Sequence, residues 1–250
     1  MSAQSTGEKI WQNQLDGCQQ ALEEAKEMLQ NGDKLGAYVK AASAHYSFAT
    51  GQTGFLRRLA TVRSFVRAKH WARKAARLVQ PEQQVQLERY DVLTHEQCDV
   101  IGTILLRRSL WMEGDPFEAF LFLDAGLKKE NVPPHSRALL HMGVAEATLA
   151  VSAANTFKSK EHMHAALALE SEIMSGADVV MAGRQFTRVL KRAFVLEWHL
   201  GDKAAAKAHY IRALQYARNP KWGSTGQLAK IEEAWSRLHS PSWWHWLLPQ

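Results

Sequence analysis

The chain has 250 residues, an apolar content of 46%, a formal net charge of +6 and two cysteines. A chain of this length and apolar content can bury a sizeable core, which excludes a disordered tail. Cys18 and Cys98 do not have the spacing of a thiolate zinc site or of a disulfide framework. No run approaches the roughly 18 apolar residues that a bilayer requires, and no signal-peptide pattern opens the chain, so we expect a cytoplasmic protein.

The composition favours helices over strands. Only seven prolines and fifteen glycines interrupt the chain, and long stretches consist of the strong helix formers Ala, Leu, Lys, Arg, Gln and Glu. Start and stop signals predict about ten or eleven helices with short connections. The predicted helices cover about 7–31, 34–50, 55–80, a shorter piece at 82–93, 94–112, one from 116 to the proline break at 133, 135–154, 160–175, 178–200, 203–218 and 224–239.

Capping residues set several of these boundaries. Gly32 can adopt the left-handed conformation that ends a helix, and Asp33 can accept hydrogen bonds from the free N–H groups that begin the next one. Thr94 with Gln97 has the spacing of a capping box, in which each side chain bonds the other residue's backbone N–H. Side-chain caps are also predicted at Asp115, Ser159 and Ser224.

Three segments share related text around a Gly-Asp turn. They are QNGDKLGAYVKAAS from Gln30, MEGDPFEAFLFLDAGL from Met112 and HLGDKAAAKAHYIRAL from His199. Each resembles the second half of a tetratricopeptide (TPR) repeat, in which Gly-Asp closes the first helix and small residues let the second helix pack closely against it. The resemblance is best in residues 187–220 and weaker at 100–134 and 18–50.

The TPR resemblance implies an all-α fold, a right-handed α-solenoid of about five antiparallel helix pairs plus a C-terminal capping helix. Residues 1–239 would form a single TPR-like helical repeat domain, and residues 240–250 a Trp-rich tail. Arrays of this kind expose a long concave surface. The resemblance therefore implies a non-catalytic scaffold or adaptor that holds a protein or peptide partner.

In TPR proteins the first helix of each repeat lines the binding groove. Carried over to the middle and last copies of the repeat, this rule gives a set of positions that we call the groove residues. They are Arg108, Trp111, Arg188, Lys191, Arg192 and Trp198. Trp111 and Trp198 occupy equivalent positions, and for both of them a place in the core is the alternative to contact with a partner.

Positive charge is concentrated in one part of the chain, because ten Lys and Arg residues and no acidic residue lie between Asp33 and Glu82. Within the predicted helix 55–80, five side chains spaced by four, three, four and three residues share one face. They form the basic stripe: Arg63, Arg67, His70, Lys74 and Arg77. We expect it to contact an acidic surface, either the chain's own residues between Glu82 and Glu118 or a partner's. Nucleic acid or an anionic membrane is the alternative.

Motifs for catalysis and for metal binding are missing from the sequence. There is no G-x-S-x-G elbow and no glycine loop that would cradle a phosphate, so we expect neither an enzyme nor a cofactor. Two neighbouring predicted helices carry histidine pairs, His135 with His141 and His162 with His164. Gaps of six and two residues do not let two histidines of one helix reach the same ion, so no metal site is expected.

The C-terminal tail is unusually apolar. Its three tryptophans are Trp243, Trp244 and Trp246, and two leucines follow them. An exposed patch of this kind needs a cover. We expect the tail to fold back over the apolar end of the last helix pair, as terminal repeats do. Peripheral contact with a membrane interface, or with a partner's groove, is the alternative.

Overall fold

The fold is known from a computed structural model that describes residues 3–51, 58–79, 90–107, 114–176 and 178–239. These residues form helices and turns without any strand, which confirms the all-α prediction for them. The helices are α1 (Ala3–Gln30), α2 (Lys34–Gly51), α3 (Arg58–Val79), α4 (His95–Leu106), α5 (Pro116–Leu127), α6 (Pro134–Val151), α7 (Thr156–Ala168), α8 (Glu170–Met174), α9 (Val179–His199), α10 (Lys203–Ala217) and α11 (Thr225–His239). Most of the predicted piece at 82–93 lies outside the described residues.

The chain divides into two compact units, one ending at Ala125 and one beginning at Gly126. In the first unit α2 packs against α1 and α3, and α4 packs against α2 and α3. In the second unit α6 packs against α7, α9 packs against α6 and α10, and α11 contacts both α9 and α10. Packing of consecutive helices is typical of a helical repeat; the right-handed solenoid and the single domain over 1–239 stay predictions.

The same Gly-Asp turn ends α1 and α9. Gly32 and Gly201 have φ angles of +87° and +88°, in the left-handed region that suits glycine because it lacks a Cβ atom. The side chains of Asp33 and Asp202 then accept hydrogen bonds of 2.8 and 2.9 Å from backbone N–H groups three residues further on. Each turn therefore closes one helix and caps the next within two residues.

The predicted capping box at the start of α4 is confirmed. The Thr94 hydroxyl accepts from the Gln97 N–H at 3.2 Å, and the Gln97 side chain accepts from the Thr94 N–H at 3.0 Å. The predicted end of this helix at Met112 is wrong, because α4 ends at Leu106. Arg107 has an extended backbone, with φ −67° and ψ 136°, so it cannot continue the helix.

Two of the predicted serine caps differ in outcome. Ser224 accepts from the Gln227 N–H at 3.2 Å and does cap α11. Ser159 does not cap a helix, because α7 already begins at Thr156, and the predicted helix at 160–175 is instead divided between α7 and α8. The Ser159 side chain is fully buried and donates to the Ala145 carbonyl of α6 at 2.9 Å. A hydroxyl predicted to cap a helix instead joins two helices.

Small residues allow the helices of the first unit to approach one another closely. Ala42 of α2 and Ala68 and Ala72 of α3 are fully buried in one cluster. Between α4 and α5 the contact is tighter, since a Cβ atom added to Gly102 would lie 2.6 Å from the Leu123 Cγ atom. Side chains this small bring helix axes to the near end of the usual range of about 8–10 Å.

We predict opposite effects for two glycine substitutions. Gly17→Ala in α1 meets no atom within 4 Å, so it should stabilise the protein by about 0.5–1 kcal/mol through helix propensity. Gly102→Ala gains the same propensity but must displace buried Leu123, and overpacking of this kind costs about 1–3 kcal/mol. Urea unfolding followed by circular dichroism measures both. Equal stabilisation by the two changes would contradict the close contact between α4 and α5.

Candidate binding surface

The basic stripe lies on α3, whose other side is apolar and buried. The buried side recurs at helical spacing, and all its members are at most 1% exposed: Phe65, Ala68, Ala72, Ala75 and Ala76. Four members of the basic stripe, Arg63, Arg67, His70 and Arg77, are exposed, and Lys74 is half-buried. The helical period of 3.6 residues separates the two sets, so packing of the alanine side holds the stripe in place.

Ion pairs join other groups in the part of the chain that the structure describes. No described acidic side chain forms a salt bridge with Arg63, Arg67 or Arg77. The described acidic residues between Glu82 and Glu118, the predicted internal partners, therefore do not neutralise these guanidinium groups. Residues 80–89 and 108–113 lie outside the described ranges.

Two aromatic rings hold the half-buried member of the stripe. The Lys74 ammonium lies 4.5 Å from the centroid of the Trp71 ring and 5.7 Å from that of Tyr38 in α2. The two rings are themselves in contact, with centroids 5.4 Å apart. A cation over an aromatic face keeps its charge and most of its donors, so Lys74 is positioned rather than neutralised.

The Arg67 guanidinium affects ionisable groups on both neighbouring helices. Burial is the main reason that the pKa of His45 in α2 is lowered, and the positive charge of Arg67 adds to this effect. Burial raises the pKa of the Cys18 thiol in α1, and the same charge opposes that rise. The His45 Nδ1 atom is buried without a hydrogen-bond partner. His45 is therefore neutral at pH 7 and does not add to the repulsion within the stripe.

The groove residues fall into three groups. Arg108 and Trp111 lie outside the described residues. Arg188 is exposed on α9 and donates to the Gln185 side chain at 3.2 Å, and Lys191 is half-buried on the same helix. The last two, Arg192 and Trp198, form contacts inside the second unit.

Arg192 is held by a bidentate ion pair. Its Nε and Nη2 atoms donate to the two carboxylate oxygens of Glu146 in α6 at 2.7 and 3.1 Å, and its Nη1 atom donates to the Leu139 carbonyl at 3.3 Å. The two side chains are only 11% and 16% exposed. A partner could recruit Arg192 only by breaking this pair, because the donors of the guanidinium are already engaged.

Trp198 is covered by helices of its own unit. Its ring lies 5.6 Å from that of Trp235 and 4.4 Å from that of His239, both in α11. The Lys203 ammonium sits 3.6 Å from the Trp198 centroid and also donates to the Trp198 carbonyl at 2.8 Å. These contacts agree with the core alternative for Trp198, while its role in a groove stays a prediction.

Sequence spacing missed one pair of histidines. His141 of α6 and His162 of α7 face each other with their Nδ1 atoms 3.1 Å apart. Spacing within one helix could not reveal this pair, because the contact crosses between helices. A usable signal was present, since the two residues lie about ten positions on either side of Ser152, where α6 ends. Residues equidistant from a tight turn meet across an antiparallel helix pair.

Neither a larger ligand cluster nor a spanning helix accompanies these surfaces. The described ranges contain no group of three or more His, Cys, Asp or Glu side chains that could hold a metal ion. None of the described helices combines the length and the apolar character needed to cross a bilayer. The tail residues Trp243, Trp244 and Trp246 lie outside the described residues.

The histidine pair predicts a specific acid sensitivity. Burial, the charge of His162 and the charge of Arg137 lower the pKa of His141 to about 4. An unfolded histidine has a pKa of about 6.5, so between about pH 6.5 and 4 the unfolded chain binds a proton that the folded state refuses. The free energy of unfolding should therefore fall with pH through this window, by at most about 3 kcal/mol from this residue.

The control for this prediction is the exposed His164, on the same helix as His162. Urea unfolding at a series of pH values should show a flatter pH dependence for His141→Gln than for the wild type, because the substituted residue no longer binds a proton. His164→Gln should keep the wild-type slope. Equal slopes for the wild type and His141→Gln would contradict the lowered pKa of His141.

The comparisons with known proteins followed from this geometry. The chain matches no protein-family model, no curated protein and no solved structure at a significant level.

Proposed function

We propose that this protein is a non-catalytic helical scaffold that binds an acidic protein or peptide segment along the basic stripe of α3. The observation that carries the proposal is that Arg63, Arg67 and Arg77 are exposed, while no described acidic side chain pairs with them. The compartment that we propose is the cytoplasm, as expected from the sequence.

Electrostatics within the stripe favours an anionic partner. Like charges one turn apart on a helix repel by a few tenths of a kcal/mol per pair, and a bound carboxylate relieves this repulsion. Arginine offers planar pairs of donors that match a carboxylate in bidentate geometry. From Arg63 to Arg77 the stripe extends about 21 Å at 1.5 Å per residue, enough for several acidic side chains of one segment.

Apolar side chains beside the arginines favour a protein over a nucleic acid. Val66 is 37% exposed and Leu78 is 48% exposed, so a peptide could bury both of them. Single-stranded nucleic acid would instead require aromatic faces on which bases can stack. Phe65 is fully buried, and the Trp71 ring is engaged with Tyr38 and Lys74. The aromatic residues of α3 therefore offer little stacking surface.

The TPR resemblance supports the scaffold part of the proposal. Repeats of this kind bind peptides on surfaces lined by first helices, and the exposed Arg188 and half-buried Lys191 of α9 suit a second acidic contact. In this proposal Arg192 and Trp198 support α9 through Glu146 and α11, and partner recognition in the second unit falls to the other side chains of α9.

The second candidate function is binding of an anionic polymer or surface. Ten cationic residues without an acidic one between Asp33 and Glu82 are typical of a phosphate-binding segment. Nucleic acid and anionic lipid both present such phosphates. Contact between the tail at 240–250 and a membrane interface belongs to this candidate as well.

We predict that changing Arg63, Arg67, Lys74 and Arg77 to Gln together weakens binding of a labelled glutamate-rich peptide by about tenfold or more, since each lost charge-assisted bond contributes about 1.5–3 kcal/mol. Fluorescence anisotropy at two salt concentrations measures the affinity. The matched control changes four exposed cations of the second unit to Gln: Lys158, Lys207, Arg218 and Lys221. The control loses the same charge and should keep near wild-type affinity.

The same variants decide between the two candidate functions. Titrations with labelled single- and double-stranded nucleic acid and with anionic vesicles use the same two salt concentrations. Micromolar nucleic-acid binding that is steeply salt-dependent and lost only in the stripe variant would favour the second candidate. Vesicle binding that is lost on deletion of Trp243 to Leu248 would indicate a peripheral membrane protein. Equal loss of peptide affinity in the stripe variant and its control would reduce the effect to net charge and contradict the stripe.

A further inference from the structure

The contact between His141 and His162 has the geometry of two ligands as well as that of a hydrogen bond. Two nitrogens that each lie about 2.0–2.1 Å from one ion, and subtend about 95–102° there, are about 3.1 Å apart. The observed separation of the two Nδ1 atoms is 3.1 Å. The angle lies between those of octahedral and tetrahedral coordination, so no backbone movement is needed to bring the nitrogens to the right separation.

The rings need only a small adjustment. Their centroids are 5.3 Å apart and their planes are inclined by 40°, so the two nitrogens now face each other nearly head-on. A turn of each imidazole about its Cβ–Cγ bond directs both Nδ1 lone pairs toward one point beside the line that joins them. Both side chains are only partly buried, which leaves solvent access for the ion and for its water ligands.

The protonation state is also suitable. Neutral imidazole is the form that binds metal ions. Burial and the neighbouring positive charges lower the pKa of His141, so this ring is neutral at pH 7. If both rings carry their proton on Nε2, both Nδ1 lone pairs are free for one ion, and binding displaces only the proton that the Nδ1 atoms would otherwise share.

We propose that His141 and His162 bind one divalent transition-metal ion through their Nδ1 atoms, with water completing its coordination. Imidazole favours Cu²⁺, Ni²⁺ and Zn²⁺, whereas Mg²⁺ and Ca²⁺ prefer oxygen ligands. No third protein ligand joins the pair among the described residues. The affinity is therefore lower than that of a structural zinc site, which has four protein ligands.

A nearby arginine makes the proposal more specific. Arg137 lies one helical turn before His141 and close enough for its charge to lower the pKa of that ring. Its guanidinium donates to the Val132 carbonyl at 3.0 Å. A fixed positive charge repels a metal cation, so Arg137→Gln should tighten ion binding severalfold. A merely structural role for the histidines gives no reason for tighter binding.

The test is isothermal titration calorimetry of the full chain, stripped with a chelator and titrated at pH 7.5 with Cu²⁺, Zn²⁺ and Mg²⁺. We expect one site for Cu²⁺ and Zn²⁺, none for Mg²⁺, and a loss of affinity of about tenfold or more in His141→Gln and in His162→Gln, because one of two protein ligands is gone. The matched control, His164→Gln, removes an exposed histidine two positions from His162 and should bind as the wild type does.

Circular dichroism establishes that each variant is folded before it is titrated, and either of the two ligand variants suffices if the other does not fold. Bound Cu²⁺ gives a second readout, since its electron paramagnetic resonance spectrum reports coordinated imidazole nitrogens. The proposal is overturned if the wild type binds no Cu²⁺ or Zn²⁺ at this stoichiometry, or if a folded His141 or His162 variant binds as tightly as the wild type. Unchanged or weaker binding in Arg137→Gln would also contradict it. These outcomes do not depend on whether α3 binds an acidic partner.

Discussion

The close approach of α2 and α3 through alanine is the constraint on which the first unit depends. Ala42, Ala68 and Ala72 leave no bulk between the helices, so the attraction between them comes from many short van der Waals contacts rather than from large side chains. A helix seated in this way has little freedom to rotate about its axis. The direction in which the cations of α3 point is therefore decided on its opposite, uncharged side.

Local signals in the sequence were sufficient to find most helices. The Gly-Asp turns and the Thr94 capping box depend on residues at most five positions apart, and each was found where the pattern predicted it. Ser159 shows the limit of such signals. A serine ahead of a helical pattern is compatible with a cap or with a buried interior position, and only the carbonyl of Ala145 in the neighbouring helix decides between them.

The candidate sites divide in the same way. The exposed face of α3 could be predicted because charge and helical period are both local properties of the chain. Arg192 could not be assigned from the sequence, because its partner Glu146 lies 46 residues away and nothing local indicates the contact. The pair of His141 and His162 is intermediate, since it requires only the position of one turn and the assumption that two consecutive helices pack against each other.

The Arg192–Glu146 pair also limits how this protein can change over generations. Loss of either partner leaves a nearly buried charge without its counterpart, at a cost of about 3–5 kcal/mol, while replacement of both by apolar residues of similar size is often tolerated. Total stability of a domain is only about 5–15 kcal/mol. Two acceptable sequences are thus separated by intermediates that are close to unfolding. A lineage that has acquired this pair tends to keep it, whatever its benefit to the present fold.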